Sequence, residues 1–198
     1  MLAPVKLYGT TTSPFVRRVR VVAAEAGVPL DLVNTATDDG QAALREVSPI
    51  RKVPVAVLGG RTLFDSRVII DYLTTVNGWG GVAPARDRWR EQNLVNAIDG
   101  ALDSAIQVFY LRRDGVPVEG SAYATRQRDR IAAIFAWLAT ELAAPTTFGA
   151  GLGLAEISLI ATLDWMDFRE TYPTGDAFAA LRAAWRDRPS LAATRPHA

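Results

Sequence analysis

The chain has 198 residues, of which 49% are hydrophobic and 22% charged, and its formal net charge is +1. These values are typical of a folded globular protein, and the small net charge gives no general attraction to nucleic acid or to an anionic membrane. The chain has no cysteine and its single histidine is His197, which excludes disulfides, Cys or His metal clusters, protein thiol nucleophiles and histidine-dependent triads.

No segment is predicted to enter a membrane. The first residues, MLAPVKLYGTTTS, lack the basic start, apolar core and small-residue cleavage site of a signal peptide. The longest apolar stretch, residues 131–145, is interrupted by Thr140 and Glu141 and is too short to span a bilayer. We therefore expect a soluble, cytoplasmic protein with neither membrane nor nucleic-acid partners, and no bound metal.

The first part of the chain alternates strand and helix patterns. Strands are predicted at residues 5–8, 30–34, 54–58 and 62–64, and helices at 14–26, 41–47 and 66–76. Gly59-Gly60 is typical of a two-residue hairpin turn, so the last two strands are expected to be antiparallel. The order βαβαββα predicts an α+β domain.

Strand patterns are absent from the second part of the chain. Helical patterns occur at roughly 87–111, 121–142, 154–170 and 176–186. Residues 79–86, WGGVAPAR, are rich in Gly, Pro and Ala and are typical of a linker. The predicted organisation is an α+β domain over 1–78, a linker over 79–86 and an all-helical domain over 87–198.

Three short motifs in the first domain combine two helix starts with a strand that begins at a proline. Ser13-Pro14 and Asp65-Ser66 each follow a predicted strand, and Pro54 opens the third strand. Each motif alone is explained by helix capping or by the place of proline at a strand start. Together they indicate more, because helix N-termini attract anions and a strand opened by proline leaves nearby backbone groups free for an extended ligand. The sequence therefore predicts a site for a short anionic peptide.

The same motifs resemble those of the cytosolic glutathione S-transferases. S-P-F-V-R-R-V at 13–19 resembles the active-site turn of serine-type, omega-like or tau-like members, and K-V-P-V at 52–55 resembles the loop whose proline is cis. F-D-S at 64–66 resembles the acidic residue and serine that hold the γ-glutamyl end of glutathione. The resemblance covers residues 7–73 in order and spacing, and it implies a thioredoxin-like N-terminal domain, an all-α C-terminal domain and a homodimer.

The resemblance implies that one hydroxyl of the active-site turn donates a hydrogen bond to the sulfur of glutathione. Ser13 is the first candidate, followed by Thr12 and Thr11. Phe15 would line the site near that sulfur. No cysteine or histidine of the protein is needed, because the substrate brings the nucleophile.

The remaining contacts to glutathione follow from the other two motifs. Lys52 would approach the glycine carboxylate, and Val53, just before a cis Pro54, would pair with the cysteinyl backbone. Asp65 would face the γ-glutamyl ammonium and Ser66 the γ-glutamyl carboxylate.

The resemblance implies a glutathione transferase whose partners are glutathione, as co-substrate, and a small electrophile, with a role in detoxification. In the helical domain, Phe109 and Tyr110 are expected to line an apolar acceptor pocket. Two alternatives stay open at this point: a non-enzymatic binding or regulatory module of the same family, and a glutathione-dependent isomerase or dehalogenase. A thiol oxidoreductase is excluded by the absence of cysteine.

Two further features of the sequence are a basic cluster in the first predicted helix and a capping pattern near residue 154. The basic cluster Arg17, Arg18 and Arg20 is predicted to form a solvated face or a dimer contact. Near the start of the helix at 154, family members have Ser or Thr followed three residues later by Asp, whereas this chain has Gly153 and Glu156. This weakened capping box predicts reduced local stability.

Overall fold

The computed structural model describes residues 4–143 and 151–197. The chain divides into two compact units, Met1–Pro84 together with Trp185–Ala198, and Ala85–Ala184. This division differs from the prediction, which assigned residues 185–198 to the helical domain. The physical reason is a set of polar contacts to the first unit, in which Arg188 pairs with Glu25 at 2.5 Å and Arg17 donates to the Leu191 carbonyl at 3.2 Å.

The first unit is built on a four-stranded mixed sheet. Its strands β1 (Val5–Gly9), β2 (Leu30–Asn34), β3 (Val55–Leu58) and β4 (Arg61–Leu63) have the order β2-β1-β3-β4. β1 is parallel to β2 and antiparallel to β3, and β3 is antiparallel to β4. Gly59 and Gly60 have φ values of 54° and 73°, as the predicted hairpin turn requires.

Three helices complete this unit before residue 84: α1 (Pro14–Glu25), α2 (Asp38–Val47) and α3 (Ser66–Asn77). α2 begins at Asp38 and not at residue 41, because the Thr37 hydroxyl accepts the Gly40 N–H at 3.2 Å and caps the helix earlier. α1 starts close against the end of β1. A Cβ on Gly9 would lie 2.4 Å from a Val16 methyl carbon, so only glycine permits this approach.

The second unit is helical, with α4 (Arg88–Arg113), α5 (Ala122–Ala143), α6 (Leu154–Phe168) and α7 (Ala179–Trp185), the last of which ends at the unit boundary. α6 is buried on almost every side, as expected of a central helix. A short helix that was not predicted, α8 (Pro189–Ala192), follows in the first unit. The predicted fold class, a thioredoxin-like α+β unit and a helical unit, is confirmed. Within the described ranges, no helix has the length and apolarity needed to cross a membrane.

Candidate functional site

Ser13 forms the N-cap of α1, as its sequence context predicts. Its Oγ accepts a hydrogen bond from the Val16 N–H at 3.3 Å, and Pro14 occupies the first turn. A hydroxyl has one proton to donate and two lone pairs. Because Ser13 Oγ acts as the acceptor in this bond, capping leaves the hydroxyl proton available for a second partner. Capping and a contact to a ligand are therefore compatible.

The neighbouring threonine hydroxyls make other contacts. Thr11 donates to the His197 carbonyl at 3.3 Å, and the Thr10 and Thr12 hydroxyls lie 3.2 Å apart, so that one of them donates to the other. The hydroxyl proton of Thr11, and that of either Thr10 or Thr12, is therefore donated within the protein. These contacts favour Ser13 over Thr12 and Thr11 as a donor to a ligand.

The loop before β3 has the features expected of a peptide-binding edge. The Val53–Pro54 bond is cis, as the resemblance implied. The β1–β3 ladder begins at Val55, opposite Tyr8, and among the described residues neither the N–H nor the C=O of Val53 has a backbone hydrogen-bond partner. Both groups are thus open to an extended ligand. Lys52 beside them is exposed.

Asp65 and Ser66 lie at the start of α3, after a second cis bond between Phe64 and Asp65. Asp65 is exposed, and its carboxylate caps the helix by accepting the Arg67 N–H at 2.9 Å. Ser66 is only 1% exposed. Its Oγ accepts two hydrogen bonds from Arg18, from Nε at 3.0 Å and from Nη2 at 2.7 Å. A buried cation therefore lies directly behind the residue predicted to hold a carboxylate.

Arg18 joins two of the predicted site residues. Its guanidinium carbon lies 4.9 Å from the centre of the Phe15 ring, while its nitrogens bind Ser66. The prediction that Arg17 and Arg18 form a solvated face is wrong, since they are 2% and 3% exposed. Their donors are satisfied inside the unit by Ser66 and by the C-terminal segment.

Sequence reasoning missed Arg18 as a site residue, although a signal was present. Arg18 is four residues from both Pro14 and Val22, which are buried on one face of α1. Residues four apart share a helix face, so the helical pattern indicates burial for this arginine, too.

The two residues expected to line an acceptor pocket lie on α4 of the second unit. The Phe109 ring packs on Tyr110, with centroids 5.5 Å apart, and edge-on against Trp165 at 5.6 Å. Tyr110 is 48% exposed. The pocket role of both residues stays a prediction. In residues 4–143 and 151–197, no three His, Cys, Asp or Glu side chains group closely enough to hold a metal ion.

The start of α6 combines the weakened capping box seen in the sequence with a contact from α4 that the sequence pattern did not indicate. Glu156 accepts the Gly153 N–H at 3.0 Å, which is the half of a capping box that glycine leaves possible. Glu91 of α4 accepts the Leu154 N–H at 3.2 Å and so provides the acceptor that Gly153 lacks. Burial, together with the charge of Glu91, raises the pKa of Glu156 to about 7. Burial also raises the pKa of Glu91, although hydrogen bonds from Leu154 and Ala155 oppose this.

Both units match models of one protein family. Residues 7–77 match the model described as glutathione S-transferase, N-terminal domain. Residues 121–193 match the model described as glutathione S-transferase, C-terminal domain. The first match contains every predicted glutathione contact.

Similar proteins cover nearly the whole chain. A glutathione transferase family member from Pseudomonas fluorescens, solved with bound glutathione, is 30% identical with a TM-score of 0.82, covering 98% of this chain and 100% of that chain. A glutathione S-transferase from Methylobacterium radiotolerans, in complex with glutathione sulfonate, is 25% identical with a TM-score of 0.83, covering 99% and 96%. The uncharacterized GST-like protein YibF of Escherichia coli is 26% identical over 175 residues, which cover 85% of each chain.

Proposed function

Since the chain belongs to the glutathione S-transferase family, we propose that it is a glutathione transferase that activates the thiol of bound glutathione for attack on a small, electrophilic, largely apolar substrate. The observation that carries this proposal is the hydrogen bonding of the Ser13 hydroxyl. Its hydroxyl caps α1 as an acceptor at 3.3 Å and keeps its own proton for a ligand. The similar structures that contain glutathione or glutathione sulfonate support the choice of co-substrate.

The energies needed for thiol activation are within reach of this turn. Lowering a thiol pKa from about 8.5 to roughly 6.5 requires about 2.7 kcal/mol of preference for the thiolate. One hydrogen bond to a charged group contributes about 1.5–3 kcal/mol, and a helix N-terminus adds about 0.3–2 kcal/mol. Ser13 at the start of α1 can supply both contributions.

The rest of the first unit would hold the peptide. Val53 would pair with the cysteinyl backbone through the N–H and C=O that the β1–β3 ladder leaves open. Lys52 would attract the glycine carboxylate, and Asp65 the γ-glutamyl ammonium. Ser66 keeps its hydroxyl proton while it accepts from Arg18, so it can donate to the γ-glutamyl carboxylate while the buried guanidinium supplies positive charge. Phe15 would lie beside the sulfur.

In the proposed reaction, glutathione supplies the sulfur nucleophile. With an aromatic chloride, a carbon–sulfur bond forms, the carbon–chlorine bond breaks, chloride leaves and the thiol proton passes to solvent. Ser13 would stabilise the thiolate without becoming covalently modified. We further propose that the protein works as a homodimer in the cytoplasm, in detoxification, with Phe109 and Tyr110 contacting the acceptor.

Two measurements test the proposal. Titration calorimetry with glutathione tests binding, and turnover with chlorodinitrobenzene tests transfer through stoichiometric release of chloride. Binding without turnover of this or other electrophiles would favour a regulatory module, and turnover that returns free glutathione would favour an isomerase or a dehalogenase that uses glutathione as a cofactor. No binding at millimolar glutathione would overturn the proposal.

A further inference from the structure

Arg169 lies in an aromatic cluster at the end of α6. Its guanidinium carbon is 4.7 Å from the centre of the Phe168 ring and 5.3 Å from that of Phe109 on α4. Phe109 in turn contacts Tyr110 and Trp165. Contacts to two ring faces hold the guanidinium in a defined position within the helical unit.

Among the described residues, the Arg169 guanidinium has no hydrogen-bond acceptor. Its Nε is buried without a partner, and within residues 4–143 and 151–197 its guanidinium makes neither a hydrogen bond nor an ion pair. The undescribed residues, 1–3, 144–150 and 198, contain no Asp or Glu. Arg169 as a whole is half-buried and not fully enclosed.

Nearby acidic side chains are committed to other arginines. Arg182 pairs with Asp164 and with Asp167, each at 2.7 Å. Arg113, which stacks on Tyr110, pairs with Asp114 at 2.8 Å. Glu170 follows Arg169 in the chain but makes no ion pair with it. The cluster therefore carries one cation that its own acids do not neutralise, and this unsatisfied charge favours a single anionic group from outside.

We propose that Arg169 binds a carboxylate on an aromatic acceptor substrate, an inference that rests on the proposed transferase function. The planar guanidinium presents paired N–H donors that match a carboxylate. One uncompensated cation suits a monoanion better than a phosphate. The exposed Tyr110 and the Phe109 ring offer aromatic surface for the body of the same ligand.

The test compares two acceptors that differ in one ring substituent, which is charged in one and neutral in the other. Chlorodinitrobenzoate carries the carboxylate, and chlorodinitrobenzamide replaces it with a neutral amide of similar shape. The wild-type protein is expected to show a KM for the benzoate at least about tenfold below that for the amide, as one charge-assisted hydrogen-bonded pair permits. Arg169→Gln is expected to raise the benzoate KM by about tenfold or more and to leave the glutathione KM and the amide KM within about twofold.

Two control variants separate a specific contact from a general effect. Arg169→Lys keeps the charge and is expected to retain part of the preference for the benzoate. Arg112→Gln removes a positive charge of α4 that is paired with Glu119 at 3.2 Å, and it is expected to leave the preference unchanged. Equal KM values for the two acceptors in the wild type, or an Arg169→Gln variant that keeps the preference, would overturn the inference.

A binding measurement distinguishes failure of the inference from failure of the transferase function. Dinitrobenzoate and dinitrobenzamide, which lack the chloride and do not react, are titrated into the wild-type protein by calorimetry. Tighter binding of the benzoate, lost in Arg169→Gln, supports the anion site even if no turnover is found. Turnover of neutral acceptors without any preference for the carboxylate leaves the transferase function intact and rejects the role of Arg169.

Discussion

Ser66 accepts two hydrogen bonds from Arg18, at 2.7 Å from Nη2 and 3.0 Å from Nε, and this contact connects the start of α3 to the first turns of α1. Both residues are almost fully buried. The proposed site uses the N-termini of the same two helices, with Ser13 on one and Ser66 on the other. The structure thus links two parts of the site that are far apart in sequence.

Ser66→Ala removes the hydroxyl that accepts from Arg18 and would donate to glutathione. We expect the free energy of unfolding to fall by about 1–3 kcal/mol and glutathione affinity to fall about tenfold, because a buried donor loses one acceptor and the ligand loses one donor. Urea denaturation and calorimetry measure the two effects. Ser121→Ala is the matched control, since Ser121 accepts the Ala124 N–H at 3.1 Å at another helix start. The control should lose stability without losing affinity, and equal glutathione affinity in all three proteins would contradict the role of Ser66.

Lys52→Gln tests the proposed contact to the glycine carboxylate. Because Lys52 is exposed, its contribution should be small, and we expect the KM for glutathione to rise about two- to fivefold at low salt and less at high salt. Steady-state kinetics at two ionic strengths measure this change. Lys6, the only other lysine in the chain, provides the control variant Lys6→Gln, which should leave the KM unchanged. If the KM for glutathione of Lys52→Gln equalled that of the wild type at both ionic strengths, the proposed contact would be excluded.

The raised pKa of Glu156 predicts that the stability of the helical unit depends on pH. Its pKa is raised to about 7 in the folded protein, so the folded state binds more protons than the unfolded state between about pH 4.5 and 7. Stability is therefore highest near the lower end of this window and falls as pH rises through 7. Across this window the free energy of unfolding is expected to fall by about 3 kcal/mol.

Glu156→Gln should remove most of this decline, because a neutral amide can still accept the Gly153 N–H. The measurement is the free energy of unfolding in urea at about pH 5 and about pH 8. Glu46→Gln, at an exposed position of α2, is the control and should keep the wild-type pH dependence. If the free energy of unfolding rose with pH over this window and Glu156→Gln did not change that dependence, the proposal that Glu156 is protonated in the folded state would be wrong.

Arg188→Gln tests what holds the C-terminal segment to the first unit. The Glu25 side chain is 6% exposed, and it accepts hydrogen bonds from Arg188 Nε at 2.8 Å and Nη2 at 2.5 Å. Without Arg188, the buried Glu25 carboxylate loses its cationic partner. We expect the free energy of unfolding to fall by about 2 kcal/mol, a value that allows for the partial exposure of Arg188. Thermal unfolding measures the effect. Arg186→Gln, at an exposed position, should change stability by less than about 0.5 kcal/mol, and an equal response of the two variants would show that the Arg188–Glu25 pair does not hold the segment.

Local patterns predicted much of the fold and of the first unit's site. Ser13 and Asp65 cap their helices as helix-start patterns indicate, and the Gly59-Gly60 hairpin is present. The cis bond before Pro54 could not be derived from the residues alone, since a trans bond is the base-rate expectation. It followed from the family resemblance.

Contacts between residues distant in sequence could not be predicted in this way. Glu91 replaces the missing hydroxyl at Gly153 from another helix, and the C-terminal segment joins the first unit through Arg188 and Glu25. The burial of Arg18 depends on Ser66, which lies on a different helix. In each case folding brings a charged side chain into contact with a residue that is distant in sequence, so its sequence neighbours do not indicate that contact.

If the Ser13 hydroxyl stabilises the thiolate of bound glutathione, as we propose, it lowers the pKa of that thiol, which is measured from the ultraviolet absorbance of the thiolate. Ser13→Ala should raise that pKa by about 1–2 units, the equivalent of one hydrogen bond to a charged group. Ser13→Thr, which keeps the cap and the hydroxyl, and Thr12→Val should leave it near the wild-type value. An unchanged thiol pKa in Ser13→Ala, with a shift in Thr12→Val instead, would contradict the claim and assign the contact to the threonine.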